Sequence, residues 1–322
     1  MKYRQLGRTS LLVSEIGLGC SGFWGDQFFP DAKAIAIVRE AFDRGVTLFD
    51  TGHHYSRYNA EPRLGRAIRQ IDRSRLVIST KAGRLRQSLF RIPTSKTRAS
   101  DYSPDYIQST CIKSIKNLSC DYVDIFQLHG ISAAELTDEL LARLQSMKQR
   151  GMYRYLGITT HRGADIIFVG EHPELFDIML LDCNVCQLDR LALIEKLHEA
   201  GVGVLAGTVL AQGHLISGKI GRLRRPADAW YLARAALKAE GRRMAKCASG
   251  MRQTLASLQE ITPAQAAVAF VLENSSVASC IVGTTSIANL WELLGATDKR
   301  LLSEHQNAIW RAFYAQPFTL SK

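Results

Sequence analysis

The stretch "YVDIFQLHGISAAELTDELLARLQSMKQRGMYRYLGITT", residues 122–160, contains one complete structural unit of the chain. Its two ends are short runs rich in β-branched and aromatic residues, and the segment between them has apolar residues at helical spacing. Runs that are apolar on both faces are typical of strands buried in a parallel sheet. The stretch therefore predicts a strand, a helix and a second strand parallel to the first.

The same unit recurs along the chain, and several of the helical patterns end in glycine, as helices commonly do. The strand-like runs are "EIGLGC" (15–20), "VTLFDT" (46–51), "RLVISTK" (75–81), "YVDIFQLH" (122–129), "YRYLGITT" (153–160), "FDIMLLDCN" (176–184), "GVGVLAGT" (201–208) and "ASCIVGTT" (278–285). Eight alternating units predict an α/β protein, an (α/β)8 barrel of the TIM type, with residues 1–322 as a single domain. A doubly wound open sheet is the alternative, but "GLGCSGFWG" (17–25) fits its glycine-rich nucleotide-binding turn only weakly.

Two further segments fall outside the repeated unit. "KYRQL" and "LLVSE" flank "GRTS" near the N-terminus and predict a small β-hairpin that covers the bottom of the barrel. The connection between the seventh and eighth strands, about residues 209–277, is unusually long and predicts a lid or a cofactor clasp. Within it, "AQGHLISGK" (211–219) is a candidate for binding pyrophosphate through backbone N–H groups, with a plain loop as the alternative.

Composition limits the classes of function. The chain is 46% hydrophobic and 22% charged, as expected of a globular protein, and no run of 18 apolar residues or signal-peptide pattern occurs. We therefore expect a cytoplasmic protein without membrane contact. The seven scattered cysteines offer one close pair, Cys183 and Cys186, and a structural zinc site would need a second, so no metal is expected.

The net charge of +11 is partly concentrated in residues 219–230 and 238–246. These stretches lack the interleaved aromatic residues and the motifs of nucleic-acid-binding domains, so no nucleic-acid partner is expected. A solvated helical face explains them, and attraction of a phosphorylated ligand is a second reading. The expected partner is a small molecule, and the expected state is a monomer or a weak homo-oligomer.

Barrel enzymes place their sites at the carboxyl ends of the strands. Here the second strand ends in Asp50, with Tyr55 in the following loop, while the third ends in Lys81 and the fourth in His129. A buried lysine needs a carboxylate, and Asp50 on the neighbouring strand is the natural partner. The ammonium is expected to lower the phenol's pKa, and a neutral histidine can orient or share the proton. The set predicts proton transfer centred on Tyr55, with neither an activated serine or cysteine nor a trio of metal ligands.

Two side chains, His54 and Trp24, are candidates for the substrate pocket. His53 and His54 are adjacent and must point apart, so we assign His54 to the pocket and His53 to the surface. Trp24 either forms a wall of the pocket or packs within its loop.

The motifs "FDTGHHYS…EPRLG", "STKAG", "YVDIFQLH", "YRYLGIT" and "GVLAGTVLAQGHL" together resemble the aldo-keto reductase superfamily, in register from about residue 3 to residue 300. The resemblance implies a barrel that binds a nicotinamide cofactor in extended form without a Rossmann domain. Hydride then passes between the cofactor and the carbonyl carbon of an aldehyde, ketone or sugar, or in reverse. By the same resemblance, Tyr55 donates the proton, Lys81 and Asp50 tune it, and His129 orients the carbonyl.

The resemblance also implies a cofactor site for NADP as NADPH, with NAD as the alternative. The matching positions are Gly19, Cys20, Thr159, Thr160, Asn184, Thr208, Leu210, Gln212, Gly213, Gly283, Thr284, Thr285, Asn289 and Glu292. The chain departs from the family where members usually have Gln, Tyr and Arg, since Leu180, Gly207 and Asn289 stand there. Without the bidentate grip of that arginine on a phosphate, the choice between NADPH and NADH stays open.

These departures leave two other functions open. One is a cofactor-binding regulatory subunit with little turnover. The other is a non-redox enzyme of a biosynthetic pathway that uses Tyr55 and Lys81 for proton transfer alone.

Overall fold

The computed structural model describes residues 1–85, 99–216 and 239–316, with side chains in the last range described from residue 245 onward. The strands in this part of the chain are β1 (Tyr3–Gln5), β2 (Leu12–Ser14), β3 (Ile16–Gly19), β4 (Leu48–Asp50), β5 (Val77–Ala82), β6 (Val123–His129), β7 (Tyr153–Thr160), β8 (Ile178–Asp182), β9 (Gly203–Gly207) and β10 (Val277–Val282). Strands β1 and β2 form a separate hairpin, and the other eight are parallel and form a closed barrel in the order β10-β3-β4-β5-β6-β7-β8-β9. Each of the eight predicted runs overlaps one barrel strand, so the (α/β)8 prediction is confirmed; the single domain remains a prediction.

Helices cover the outside of the barrel. They are α1 (Asp31–Asp43), α2 (Ala60–Ile68), α3 (Pro104–Leu118), α4 (Asp138–Gln149), α5 (Gly163–Glu171), α6 (Leu191–Glu199), α7 (Ala239–Ser257), α8 (Pro263–Glu273), α9 (Ile287–Leu294) and α10 (Ser303–Tyr314). Helix α4 shows why they form there: Thr137 caps its first turn by accepting the N–H of Leu140, and its buried residues recur at helical spacing. Because the eight barrel strands are parallel, their carboxyl ends all lie at one face of the barrel.

The hairpin of β1 and β2 closes the opposite end of the barrel. Its apolar side chains Leu6, Leu11 and Val13 are buried in a cluster with the inward-facing side chains of the strands. The partners in that cluster include Leu48, Val77, Ile125, Ile178 and Leu205. The predicted cover of the barrel bottom is therefore present.

The long connection between β9 and β10 is described only in part. Residues 211–216 and helices α7 and α8 belong to it, while the basic stretch 219–230 and the end of the candidate pyrophosphate loop lie outside the described residues. In the described residues, no helix combines the length and apolar character needed to cross a membrane.

Candidate active site

Three neighbouring barrel strands bring the predicted proton-transfer residues together. Strands β4 and β5 are paired with Asp50 opposite Ser79, and β5 and β6 with Lys81 opposite Gln127. Inward side chains of adjacent parallel strands lie side by side, so the carboxylate and the ammonium meet inside the barrel. His129 ends β6 on the same face.

Tyr55 reaches this group from an unusual turn after β4. Ser56, Arg57 and Tyr58 follow it with φ values of 50°, 60° and 68°, in the left-handed region that non-glycine residues rarely adopt. Side-chain contacts hold the turn, since Ser56 Oγ donates to the Gly22 carbonyl at 2.7 Å. Strain of this kind persists only where the surroundings fix it and is concentrated at functional sites. The turn thereby fixes the direction of the phenol.

Lys81 and Asp50 form a buried ion pair. Lys81 is 1% exposed, and its Nζ donates to Asp50 Oδ1 at 2.6 Å and to the Thr51 carbonyl at 2.9 Å. The Nζ of Lys81 also lies 5.3 Å from the centroid of the Tyr55 ring. The three side chains therefore lie in sequence from carboxylate to ammonium to phenol.

Burial decides the protonation of this chain. Burial raises the pKa of Tyr55 above its ordinary value of 10, and the opposing effect of Lys81 does not reverse it. The expectation of a lowered phenol pKa is thus wrong, because desolvation outweighs the ammonium. Burial lowers the pKa of Lys81, but Asp50 and Tyr55 together outweigh it and the net pKa is raised. At neutral pH the site holds a neutral phenol and a charged lysine.

His129 lies beside the phenol as a neutral base. Its ring centroid is 5.8 Å from that of Tyr55 at an interplanar angle of 85°. Burial, followed by the charge of Lys81, lowers its pKa well below 6.5. Its Nδ1 is buried and has no hydrogen-bond partner among the described residues. An unpaired acceptor costs less than an unpaired donor, which favours the tautomer with the proton on Nε2.

A buried polar network beneath these residues was not foreseen from the sequence. Gln127 Nε2 donates to Ser79 Oγ at 2.6 Å and to Asp50 Oδ1 at 3.2 Å, and its Oε1 accepts the Thr159 hydroxyl at 2.5 Å. Ser79 in turn donates to Asp50 at 2.8 Å. The signal was present in the sequence, because Gln127 is two residues before His129 and so shares its inward face. The network connects a predicted cofactor residue, Thr159, to the carboxylate of Asp50.

The two adjacent histidines separate as expected, but neither is at the surface. His53 is buried and its Nδ1 lies 3.1 Å from Glu61 Oε2, so its assignment to the surface is wrong. The His54 ring lies 4.9 Å from that of Tyr55 and 5.1 Å from that of His129. Burial, followed by the charge of Arg84, lowers the pKa of His54 to about 4. His54 therefore adds a second neutral imidazole to the site.

Trp24 is placed in the apolar core. It is 2% exposed, belongs to the same cluster as Phe23 and Phe29, and donates its indole N–H to the Ala34 carbonyl at 3.2 Å. These contacts correspond to the loop-packing alternative and give no support to a wall of the substrate pocket.

The predicted cofactor residues lie at or after the carboxyl ends of five adjacent barrel strands. Gly19 ends β3 and Cys20 follows it, and Gly283, Thr284, Thr285, Asn289 and Glu292 follow β10, its neighbour in the barrel. Thr159, Thr160 and Asn184 lie at the ends of β7 and β8, and Thr208, Leu210, Gln212 and Gly213 follow β9. The topology thus brings together positions far apart in sequence.

Several of these side chains have partners inside the protein. Thr160 Oγ1 donates to Asp165 Oδ2 of helix α5 at 2.8 Å, which directs it away from the barrel interior. Asn184 donates to Gln187 at 2.6 Å and accepts the Cys186 N–H at 3.0 Å. Both side chains therefore have structural roles in their loops.

Asp182, which sequence reasoning overlooked, lies beside Gly207. Its Oδ2 is 2.8 Å from His161 Nδ1, while its Oδ1 is buried and has no hydrogen-bond partner within the described part of the chain. A Cβ added to Gly207 would lie 3.8 Å from Oδ1. Although burial raises the pKa of Asp182, His161, Thr208 and Arg190 together outweigh it and the net pKa is lowered. An ionised oxygen thus lies close to the Gly207 backbone.

Comparison with known proteins identifies the class of this site. The model of the aldo/keto reductase family matches residues 15–315. The chain therefore belongs to the aldo/keto reductase family, the NAD(P)H-dependent oxidoreductases of carbonyl substrates.

Individual relatives match over nearly their whole length. The chain is 31% identical over 309 residues to L-galactose dehydrogenase of Arabidopsis thaliana, covering 92% of this chain and 88% of the relative. It is 27% identical over 325 residues to L-glyceraldehyde 3-phosphate reductase of Escherichia coli, covering 96% and 91%. Among solved structures, an aldo-keto reductase of Bacillus halodurans in its holo form has the same fold, with a TM-score of 0.76 at 24% identity, covering 97% of this chain and 96% of that one.

Proposed function

We propose that the protein transfers hydride between NADP(H) and the carbonyl of an aldehyde, ketone or sugar, with Tyr55 as the proton donor. The observation that carries the proposal is the buried chain from Asp50 through Lys81 to Tyr55, beside the neutral His129. A neutral phenol next to a fixed cation can release its proton to an oxygen that becomes negative during reduction.

Each residue then has a separate part in reduction. The nicotinamide ring, when bound, supplies the hydride to the carbonyl carbon. Tyr55 donates its proton to the carbonyl oxygen, and the charge of Lys81 stabilises the phenolate that remains. Asp50 keeps Lys81 protonated, and Nε2–H of His129 donates to the carbonyl oxygen to orient it. Alcohol oxidation uses the same groups in reverse.

The residues around Gly207 fit a nicotinamide. Among the described residues, the buried Oδ1 of Asp182 has no geometric hydrogen-bond donor, and a carboxamide NH2 group is a donor of suitable size. Thr159 on the neighbouring strand β7 would hold the same carboxamide, since Leu180 has no polar group to do so. A Cβ added to Gly207 would lie 3.0 Å from Leu180 Cδ2, so the Leu180 side chain provides the apolar surface next to Gly207.

The phosphate end of the cofactor would lie at β10 and helix α9. Ser286 caps α9, and Thr284 accepts the Ser286 N–H at 3.1 Å, so hydroxyls and backbone N–H groups gather at this N-terminus. Such a terminus attracts phosphate. We propose NADPH as the preferred cofactor, with NADH as the second, because Asn289 cannot replace the charge of an arginine.

Relatives suggest the substrate class. Two of them are named for a sugar and for a phosphorylated sugar aldehyde, so we propose an oxygenated carbonyl compound or sugar. No protein, nucleic-acid or membrane partner is included in the proposal, and we place the protein in the cytoplasm as a monomer or weak homo-oligomer.

The test combines binding and turnover. NADPH and NADH are titrated against the protein by tryptophan fluorescence, and Tyr55→Phe is compared with wild type on a panel of aldehydes. We expect Tyr55→Phe to bind cofactor normally and to lose turnover. Carbonyl reduction that persists in this variant contradicts the role of Tyr55, and tight cofactor binding without turnover by wild type favours the regulatory alternative.

A further inference from the structure

Arg84 is held at the mouth of the active site by the turn that follows β5. Its backbone forms an antiparallel bridge with Ser100, and the Asp101 N–H donates to the Gly83 carbonyl at 2.7 Å. Gly83 has a φ of +102°, and a Cβ there would lie 2.2 Å from Cε1 of Tyr102, so the turn requires glycine. The position of Arg84 is therefore fixed by its neighbours on both sides.

The guanidinium of Arg84 lies against the residue that follows His129. A Cβ added to Gly130 would lie 3.2 Å from Arg84 Nε and 3.3 Å from Nη2, so the cation occupies space that a side chain would take. Its charge reaches the catalytic groups: it adds to burial in lowering the pKa of His54 and of His129, and it opposes the burial that raises the pKa of Tyr55.

Three other basic side chains at this end of the barrel each pair with a carboxylate. The pairs are Lys81 with Asp50, Arg162 with Asp165, and His161 with Asp182. Among the described side chains, those of residues 1–85, 99–216 and 245–316, no carboxylate forms an ion pair with Arg84. The sequence that follows, "LRQSLFRIPTSKTRAS" (85–100), has no aspartate or glutamate either.

We propose that Arg84 binds an anionic group of the substrate, which is thus a carbonyl compound that also carries a carboxylate or a phosphate. The inference rests on the proposed function, because Tyr55 and His129 must hold the carbonyl end. A guanidinium presents a planar fork of N–H donors that fits both anions. Because no carboxylate among the described residues pairs with this exposed cation, it retains that capacity. Its place next to His129 puts the anion a short chain away from the carbonyl.

The test uses pairs of aldehydes that differ in their anion. Glyceraldehyde is compared with glyceraldehyde 3-phosphate, and butanal with 4-oxobutanoate, using wild type, Arg84→Met and Arg84→Lys. Arg154→Met is the control, because it removes the same charge at the start of β7, where Arg154 pairs with Asp124. We expect wild type to favour the anionic member of at least one pair by about tenfold or more in kcat/KM, as for a charge-assisted hydrogen bond.

Arg84→Met is expected to remove this preference through KM, so that the anionic aldehydes lose more kcat/KM than the neutral ones, while Arg84→Lys restores part of the preference and added KCl weakens it. The aldehyde pair for which wild type prefers the anionic member identifies the anion as phosphate or carboxylate. Equal kcat/KM within both pairs in wild type, or an equal loss on both members in Arg84→Met, overturns the proposal.

Binding gives a readout that does not depend on turnover. Inorganic phosphate is titrated calorimetrically into wild type, Arg84→Met and Arg154→Met. Loss of phosphate binding in Arg84→Met alone supports the anion site, even if none of these aldehydes is reduced. The lack of reduction would then count against the proposed function and not against the anion site. Equal affinity in all three proteins, or no binding to wild type, overturns the anion site.

Discussion

Asp50→Asn tests the buried ion pair most directly. The substitution keeps the shape of the side chain but removes the charge that faces Lys81, whose ammonium is 1% exposed. Removing one partner of a buried pair costs about 3–5 kcal/mol, because the other charge stays buried without compensation. Asp50 is 5% exposed, so water does not replace it readily, and we expect a loss of about 3 kcal/mol in the free energy of unfolding.

The double variant separates charge from packing. In Asp50→Asn/Lys81→Met neither charge remains, so its free energy of unfolding should exceed that of Asp50→Asn although it carries one substitution more. The double variant should lose turnover, since Tyr55 then has no cation to stabilise its phenolate.

The assay is urea denaturation at pH 7 of wild type, Lys81→Met, Asp50→Asn and the double variant, followed by circular dichroism and fitted with a common slope. If the loss in free energy of unfolding of the double variant equals the sum of the losses of Asp50→Asn and Lys81→Met, the two charges are not coupled and the reasoning is refuted. A loss below about 1 kcal/mol in Asp50→Asn would show that the pair is solvated like a surface ion pair.

Three further substitutions test single contacts. The pKa of His54 is lowered to about 4 in the folded protein, against an ordinary 6.5, so the unfolded chain binds more protons between these pH values. Stability therefore falls as the pH falls from 6.5 to 4, and His54→Gln should reduce the slope of thermal stability against pH in this range. Gln127→Leu leaves the Thr159 hydroxyl unpaired and should lower the free energy of unfolding by about 1–3 kcal/mol in urea, whereas an unchanged midpoint would mean that water replaces the amide. Trp24→Phe removes the hydrogen bond to Ala34 and should cost about 1 kcal/mol without changing KM, and a raised KM would return Trp24 to the substrate pocket.

The barrel could be predicted because its strands are unambiguous in sequence. Each run is apolar on both faces and short, and eight of them alternating with helical patterns leave few topologies. The proximity of Asp50, Lys81 and His129 followed from the same topology, since successive parallel strands are neighbours whose ends share one face. Tyr55 could be added only from its place in the loop and the family motif.

What the sequence did not reveal depends on burial and on side-chain direction. The pKa of Tyr55 rises because desolvation outweighs the nearby ammonium, and no sequence pattern measures desolvation. The partner of His53 is Glu61 on helix α2, and Thr160 points to Asp165 on helix α5; such contacts depend on how helices pack. Asp182 was missed because an acidic residue at a strand end has no distinctive spacing.

The hairpin that closes the barrel bottom has a consequence for how the chain folds during synthesis. Its turn docks on β9, where the Arg8 N–H donates to the Gly201 carbonyl at 2.8 Å and Gly7 lies against the backbone of Gly203. The hairpin is made before β9 and must therefore wait for partners that come much later in the chain. Contacts of such high sequence separation slow folding. Until β9 emerges, the apolar side of the hairpin has no barrel to cover and is a surface for chaperones to bind.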